Sequence, residues 1–197
     1  LPDRITQYKI EKLKEMGVNA YRSSHHPPSP ALLDACDRLG MLLLDEAFDM
    51  WNVCKTPHDY HLFFRDWWER DIEYMVKRDR NHPCVITYSI GNEIQERDGF
   101  SDGAAWAARL ASEIRKYDDT RLVTSGICGL WYTPSPTDPA DYDDPRKMGR
   151  DDAESHEIWL KRSEAYMAPL DIVGYNYLYP FYEPDHRKYP ARVMWGS

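Results

Sequence analysis

The chain has 197 residues, with 25 Lys plus Arg against 33 Asp plus Glu and a net charge of −8 at pH 7. Its length allows a sizeable core, and 42% hydrophobic with 29% charged residues excludes a disordered chain. The acidic balance, with no Lys/Arg cluster, argues against nucleic acid and anionic membranes as partners, and no apolar run approaches the roughly 20 residues of a membrane span.

The predicted elements alternate along the chain. A helix runs from about Ile5 to Met16 and stops at Gly17, and a short strand follows over Val18 to Arg22. Pro30 opens a second helix with Leu32, Leu33, Cys36 and Leu39 as its apolar stripe, and Gly40 ends it. Met41 to Asp45 reads as a strand buried on both faces. After a polar and aromatic loop over residues 46–61, a long helix covers about Leu62 to Asp79. Phe64, Trp67, Trp68, Ile72, Met75 and Val76 form its core face. Cys84 to Ile90 is the third strand. Ser101 is set to cap a fourth helix that reaches about Tyr117, and Leu122 to Thr124 is the fourth strand. A long loop over about residues 126–152, dense in Pro, Asp and Tyr, has the length of a functional segment. A helix from about Ala153 to Met167, a strand from Asp171 to Asn176, a loop from Tyr177 to Ala191 and a strand from Arg192 to Gly196 complete the series.

Alternating units of this kind specify a parallel sheet under helices, either a doubly wound open sheet or part of a (β/α)8 barrel. The 10 glycines form neither GxGxxG nor GxxxxGK[ST], which lowers the expectation of a nucleotide-binding open sheet. The cysteines Cys36, Cys54, Cys84 and Cys128 lack metal or disulfide spacing and read as small buried hydrophobes. His58 and His61 lack a third ligand, so no metal site is expected. Aromatics reach 13%, enough for a large core or for platforms under sugar rings.

Polar groups gather where the strands stop: Arg22 to His26, then Asp45 and Glu46, then Asn92, Glu93 and Glu96, then Tyr175 to Tyr177. In either parallel architecture function sits at these C-terminal strand ends. Glu93 is the sharpest of them: a buried strand delivers it to the rim, where a partly desolvated carboxylic acid can serve as general acid.

The run from Asn81 to Glu93, with Asn81-His82-Pro83 and Gly91-Asn92-Glu93 at its ends, resembles the acid/base signature of glycoside hydrolase family 2. Gly17 to His25 resembles the family's GxNAxRxSH segment, and Cys36-Asp37, Gly40 and Asp45-Glu46 resemble its CDxxG…DE segment. Asp171 to Tyr177 resembles a later barrel strand of its β-galactosidase-like members, and Tyr189 to Ser197 the approach to its nucleophile strand. The resemblance covers nearly the whole chain in order and implies an α/β fold, a partial (β/α)8 TIM barrel with about strands two to seven of one catalytic domain over residues 1–197.

It also implies roles. Glu93 is the general acid, then base, of a retaining double displacement on a carbohydrate substrate, most readily a β-galactoside. Asn92 contacts the hydroxyl beside the anomeric carbon, Arg22 sits below the nucleophile and keeps it ionised, and Tyr177 hydrogen-bonds it. His25 and, less strongly, Asn176 belong to the sugar-binding floor. No cofactor or metal is implied; further β-sandwich domains of a longer parent chain and a homo-oligomer are compatible with it. Phe48 stands where the galactosidase pattern often has Asn. The family's nucleophile is a Glu expected immediately after Ser197, so these residues alone are expected to be inactive. A β-glucuronidase or β-mannosidase of the same family, and a non-catalytic carbohydrate-binding barrel, are the competing readings. The absence of a cationic cluster at the strand ends favours a neutral sugar. Trp51, Trp131 and Tyr132, in the two long loops, are candidates to stack on sugar.

Overall fold

The computed structural model describes residues 2–99, 101–128 and 153–196. Trp131, Tyr132 and Ser197 lie outside the described residues. The element order is α1 (Asp3–Glu15), β1 (Ala20–Arg22), α2 (Pro30–Leu39), β2 (Leu42–Glu46), α3 (His61–Asp79), β3 (Val85–Asn92), α4 (Gly103–Tyr117), β4 (Leu122–Cys128), α5 (Ala153–Met167), β5 (Ile172–Asn176), α6 (Tyr182–Lys188) and β6 (Val193–Gly196). Short 3-10 turns follow β3 and β5.

Local chemistry explains the boundaries. In α2 the Ser29 hydroxyl accepts from the Leu32 amide at 3.3 Å, and Pro30 occupies the first turn, where its missing N–H costs nothing. Gly40 closes α2 at φ 67°, a left-handed conformation that a Cβ would strain. α4 departs from the expected start. Asp102 stands at its N-cap position, while the Ser101 hydroxyl donates instead to the Glu96 carbonyl at 2.9 Å, tying α4 to the turn after β3. The segment expected as a loop from Tyr177 to Ala191 contains α6, which the buried Asp185 anchors by accepting from Trp159 Nε1 at 3.2 Å.

All strand pairs are parallel, in the order β1-β2-β3-β4-β5-β6. Every crossover therefore steps the same way. Right-handed crossovers then place all helices on one face, and the strand-order reversal of a doubly wound sheet is absent. The result is the curled wall of a partial barrel, which settles the two architectures in favour of the (β/α)8 class. The core lies between helices and sheet, with Ile10, Leu33, Leu43, Val76, Tyr88 and Leu110 fully buried. No helix among the described residues is long and apolar enough to cross a membrane.

Two aromatic expectations change. Trp67 is 44% exposed under the Arg70 guanidinium, so only Trp68 of the pair packs inward, edge-on to Trp106 at 5.4 Å between centroids. Trp51 is fully buried, donates to the Ile90 carbonyl at 2.9 Å and stacks on Tyr166, so it is core and not a sugar platform. Cys36, Cys84 and Cys128 are buried as expected, whereas Cys54 is exposed.

Candidate active site

Strand alternation decides which side chains enter the barrel. Along β2, Leu44 and Glu46 share one face, and Leu43 and Asp45 the other. Glu46 is fully buried on the inner face and gathers three donors: Arg22 Nε at 2.8 Å, the Ser89 hydroxyl at 2.7 Å and His25 Nδ1 at 2.7 Å. A buried carboxyl group this well hydrogen-bonded fixes the Arg22 guanidinium and the His25 ring in place.

Arg22 spans the floor. It also donates to Asn92 Oδ1 at 2.8 Å and lies 5.3 Å over the Trp195 ring on β6. The route passes over Gly126, where a Cβ would come within 2.5 Å of the guanidinium. Only glycine leaves that space, so β4 contributes an opening rather than a side chain. Asn176, from β5, donates to Asn92 Oδ1 at 3.0 Å and to Glu93 Oε1 at 3.1 Å. Asn92 in turn donates to Asp49 Oδ1 at 2.9 Å. Lys55 bonds the same Asp49 oxygen at 2.6 Å and the Asn92 carbonyl at 2.9 Å, stitching the loop after β2 to the end of β3.

Glu93 follows β3 at φ 47°, with its amide donated to the Gly126 carbonyl at 2.7 Å. Tyr177 follows β5 at φ 65° and is 57% exposed. The negative charge of Glu93 raises the Tyr177 phenol above its ordinary pKa, and burial and a hydrogen bond to that carboxylate add to the shift. Phe48, just past β2, is the third non-glycine residue at positive φ, at 72°. All three follow C-terminal strand ends, and strain stored in this way clusters where side chains are aimed at a ligand.

The structure therefore brings Arg22, His25, Asn92, Glu93, Asn176 and Tyr177 to one rim. The sequence reading gave Glu46 no role and passed over Asp49. Glu46 was visible in its strand-end motif. Asp49 sits in a loop, where no periodicity announces it. A cavity of about 630 Å³ opens beside this rim, lined by His25, Phe48, Asp49 and Tyr60 among others. His61, one of the two loop histidines, pairs with Asp59 at 2.7 Å. No cluster of three or more metal-ligating side chains occurs among the described residues.

Known proteins resemble this chain in sequence and in fold. Residues 4–128 match the model of the family "Glycosyl hydrolases family 2, TIM barrel domain". The chain is 52% identical over 102 residues to the β-galactosidase BoGH2A of Bacteroides ovatus, covering 52% of this chain and 12% of that protein. It is 40% identical over 121 residues to a putative β-glucuronidase of Formosa agariphila, covering 61% of this chain and 11% of that protein. Among solved structures, a glycosyl hydrolase family 2 member from Bacteroides cellulosilyticus superposes with a TM-score of 0.80 at 39% identity, covering 99% of this chain and 21% of its own. The chain thus spans about an eighth to a fifth of the length of these relatives. With its motifs in order and its strands winding one way, the chain belongs to glycosyl hydrolase family 2, as part of that family's TIM barrel domain.

Proposed function

We propose that the protein hydrolyses terminal β-glycosidic bonds, with β-galactosides as the leading substrate class, by a retaining double displacement. The arrangement at the end of β3 carries this reading: Asn92 and Glu93 stand side by side, joined by one Asn176 amide at 3.0 and 3.1 Å. Glu93 protonates the leaving oxygen and later deprotonates the incoming water. Asn92 Oδ1 accepts from Arg22 and Asn176, and one amide proton goes to Asp49. The other has no partner among the described residues and is available to the hydroxyl beside the anomeric carbon. Arg22 reaches the end of β6 and keeps a nucleophilic carboxylate charged there, and Tyr177 bridges the two carboxyl groups, which in retaining enzymes stand about 5 Å apart. His25 and Asn176 complete the sugar floor. We further propose that the edges β1 and β6 and the exposed Leu42 and Val193 are covered by the remaining strands of one catalytic barrel.

The test uses the full-length protein. Glu93→Gln should lower kcat/KM on an alkyl β-galactoside by about 10²- to 10⁴-fold. Azide should rescue turnover of an activated aryl galactoside and yield the β-galactosyl azide. Near-normal turnover by the variant, or an α-azide, overturns the assignment. β-Glucuronides are the second reading, favoured by the 40% identity to the Formosa agariphila protein.

A further inference from the structure

Asp49 is anchored at one oxygen only. Its Oδ1 accepts from Asn92 Nδ2 at 2.9 Å and from Lys55 Nζ at 2.6 Å, while Oδ2 has no hydrogen-bond partner among the described residues. The side chain is 35% exposed and lines the cavity of about 630 Å³ with His25. The rest of that lining is largely apolar and aromatic, with Pro27, Phe48, Met50 and Tyr60. Burial opposes its charge, but the bonds from Lys55 and Asn92 outweigh that and hold the carboxyl below its usual range, so it stands ionised at neutral pH.

A fixed carboxylate with one open oxygen, facing a cavity with aromatic walls, is an acceptor for hydroxyl groups on a ring that also has an apolar face. The neighbouring cations are already committed. Lys55 is bound to Asp49 and to the Asn92 carbonyl, and Arg22 to Glu46 and Asn92. An incoming uronate carboxylate would meet the open oxygen of Asp49, with Lys55 already paired to that carboxylate and no further uncommitted cation among these groups. We propose that Asp49 is a sugar-binding, specificity-determining residue whose Oδ2 accepts a hydroxyl of a neutral pyranoside and whose charge rejects uronosides. This deepens the hydrolase reading above and rests on it.

The experiment compares the full-length enzyme with Asp49→Asn on aryl β-galactoside, aryl β-glucuronide and a set of monodeoxy aryl β-galactosides. Asp49→Asn should cut kcat/KM for the galactoside about 10- to 100-fold, the worth of a charge-assisted hydrogen bond. The galactoside-to-glucuronide ratio should fall by at least about 10-fold. Removing one hydroxyl, at a position other than the one beside the anomeric carbon, should cost the unmutated enzyme as much and cost the variant nothing more. Equal losses on both glycosides, or deoxy losses that are the same in enzyme and variant at every position, overturn the assignment. An unmutated enzyme that prefers the glucuronide overturns it while leaving glycoside hydrolysis standing. An enzyme that hydrolyses neither glycoside overturns the hydrolase reading and this assignment together. If Asp49→Asn does not fold, the deoxy series on the unmutated enzyme decides: a loss confined to one such hydroxyl supports the role, and losses under about 3-fold at all of them overturn it.

Discussion

The two ends of the barrel wall carry polar clusters of similar composition and opposite character. At the N-terminal end of the strands, Asp37 accepts from the Cys84 amide at 2.9 Å and pairs with His82 at 2.6 Å. Asp118 there takes the Thr120 amide at 2.9 Å, the Arg121 guanidinium at 2.5 Å and the Tyr88 hydroxyl at 3.1 Å. Both clusters are closed, with their acceptors spent on turns that launch the next strand. At the C-terminal end the network is equally dense around Glu46 and Asn92, yet it leaves an open oxygen on Asp49, an exposed Tyr177 and three backbones at positive φ. Ionisable residues in a network do not by themselves mark a site. Unspent acceptors beside a cavity, held at a cost in backbone strain, do.

The sharpest way to break that contrast is Glu46→Ala. It removes the Glu46 partner of the Arg22 guanidinium, whose side chain is only 17% exposed. Breaking a buried pair this way costs about 3–5 kcal/mol. Denaturant unfolding should show that loss, and kcat/KM should collapse with it because Arg22 and His25 lose their common anchor. An unstable variant that retains its turnover would make Glu46 as structural as the clusters at the far end.

Asp118→Ala is the matched experiment at the closed end. Losing bonds to a charged acceptor should cost about 1–3 kcal/mol of stability and leave kcat/KM within about 2-fold. The pH dependence has a definite sign. Burial pushes the Asp118 carboxyl up, but its bonds from Thr120, Arg121 and Tyr88 win, so the folded value lies below the ordinary 3.8. Its contribution is therefore present above that value and lost as pH falls through the depressed folded one. The gap in melting temperature between protein and variant should be smaller at pH 3 than at pH 7. Altered turnover by the variant would mean that the closed end is not closed in function.

Legibility in the sequence follows the same division. The continuous apolar runs of β2 and β3 and the Ser-Pro start and Gly stop of α2 are local signals, and the winding follows from their alternation. The rim residues were legible because strand ends announce them. α6 was not, since its YEPDHRK sequence has an internal Pro and no apolar period, and the buried anchor Asp185 is supplied by tertiary contact. Trp51 and Trp67 exchanged their expected environments because solvent exposure in a loop or on a helix depends on neighbours that no spacing encodes. Asp49 escaped for a related reason, as its role depends on a distance to Asn92 across two strand ends.

The smallest expected effect concerns a carboxyl that belongs to neither cluster. Asp45 alternates with Glu46 on β2 and so points outward, under the helices, where it is fully buried and neither oxygen has a hydrogen-bond donor among the described residues. Asp79, also fully buried, faces it and is itself paired with Arg78. Burial, then the Asp79 charge, raises Asp45 well above the ordinary carboxylate value, against a smaller opposing pull from Arg78. The folded protein thus binds this proton more tightly than the unfolded chain does. The stabilisation is full below the ordinary value and is lost as pH rises toward the raised one, the reverse of Asp118. Asp45→Asn keeps the shape, stays neutral and offers an N–H to Asp79. Its melting temperature should match the unmutated protein near pH 4 and exceed it near pH 7. An identical pH dependence in the two proteins would mean that Asp45 is ionised in the folded state, and that the buried pair resembles the open floor above it more than a closed structural cluster.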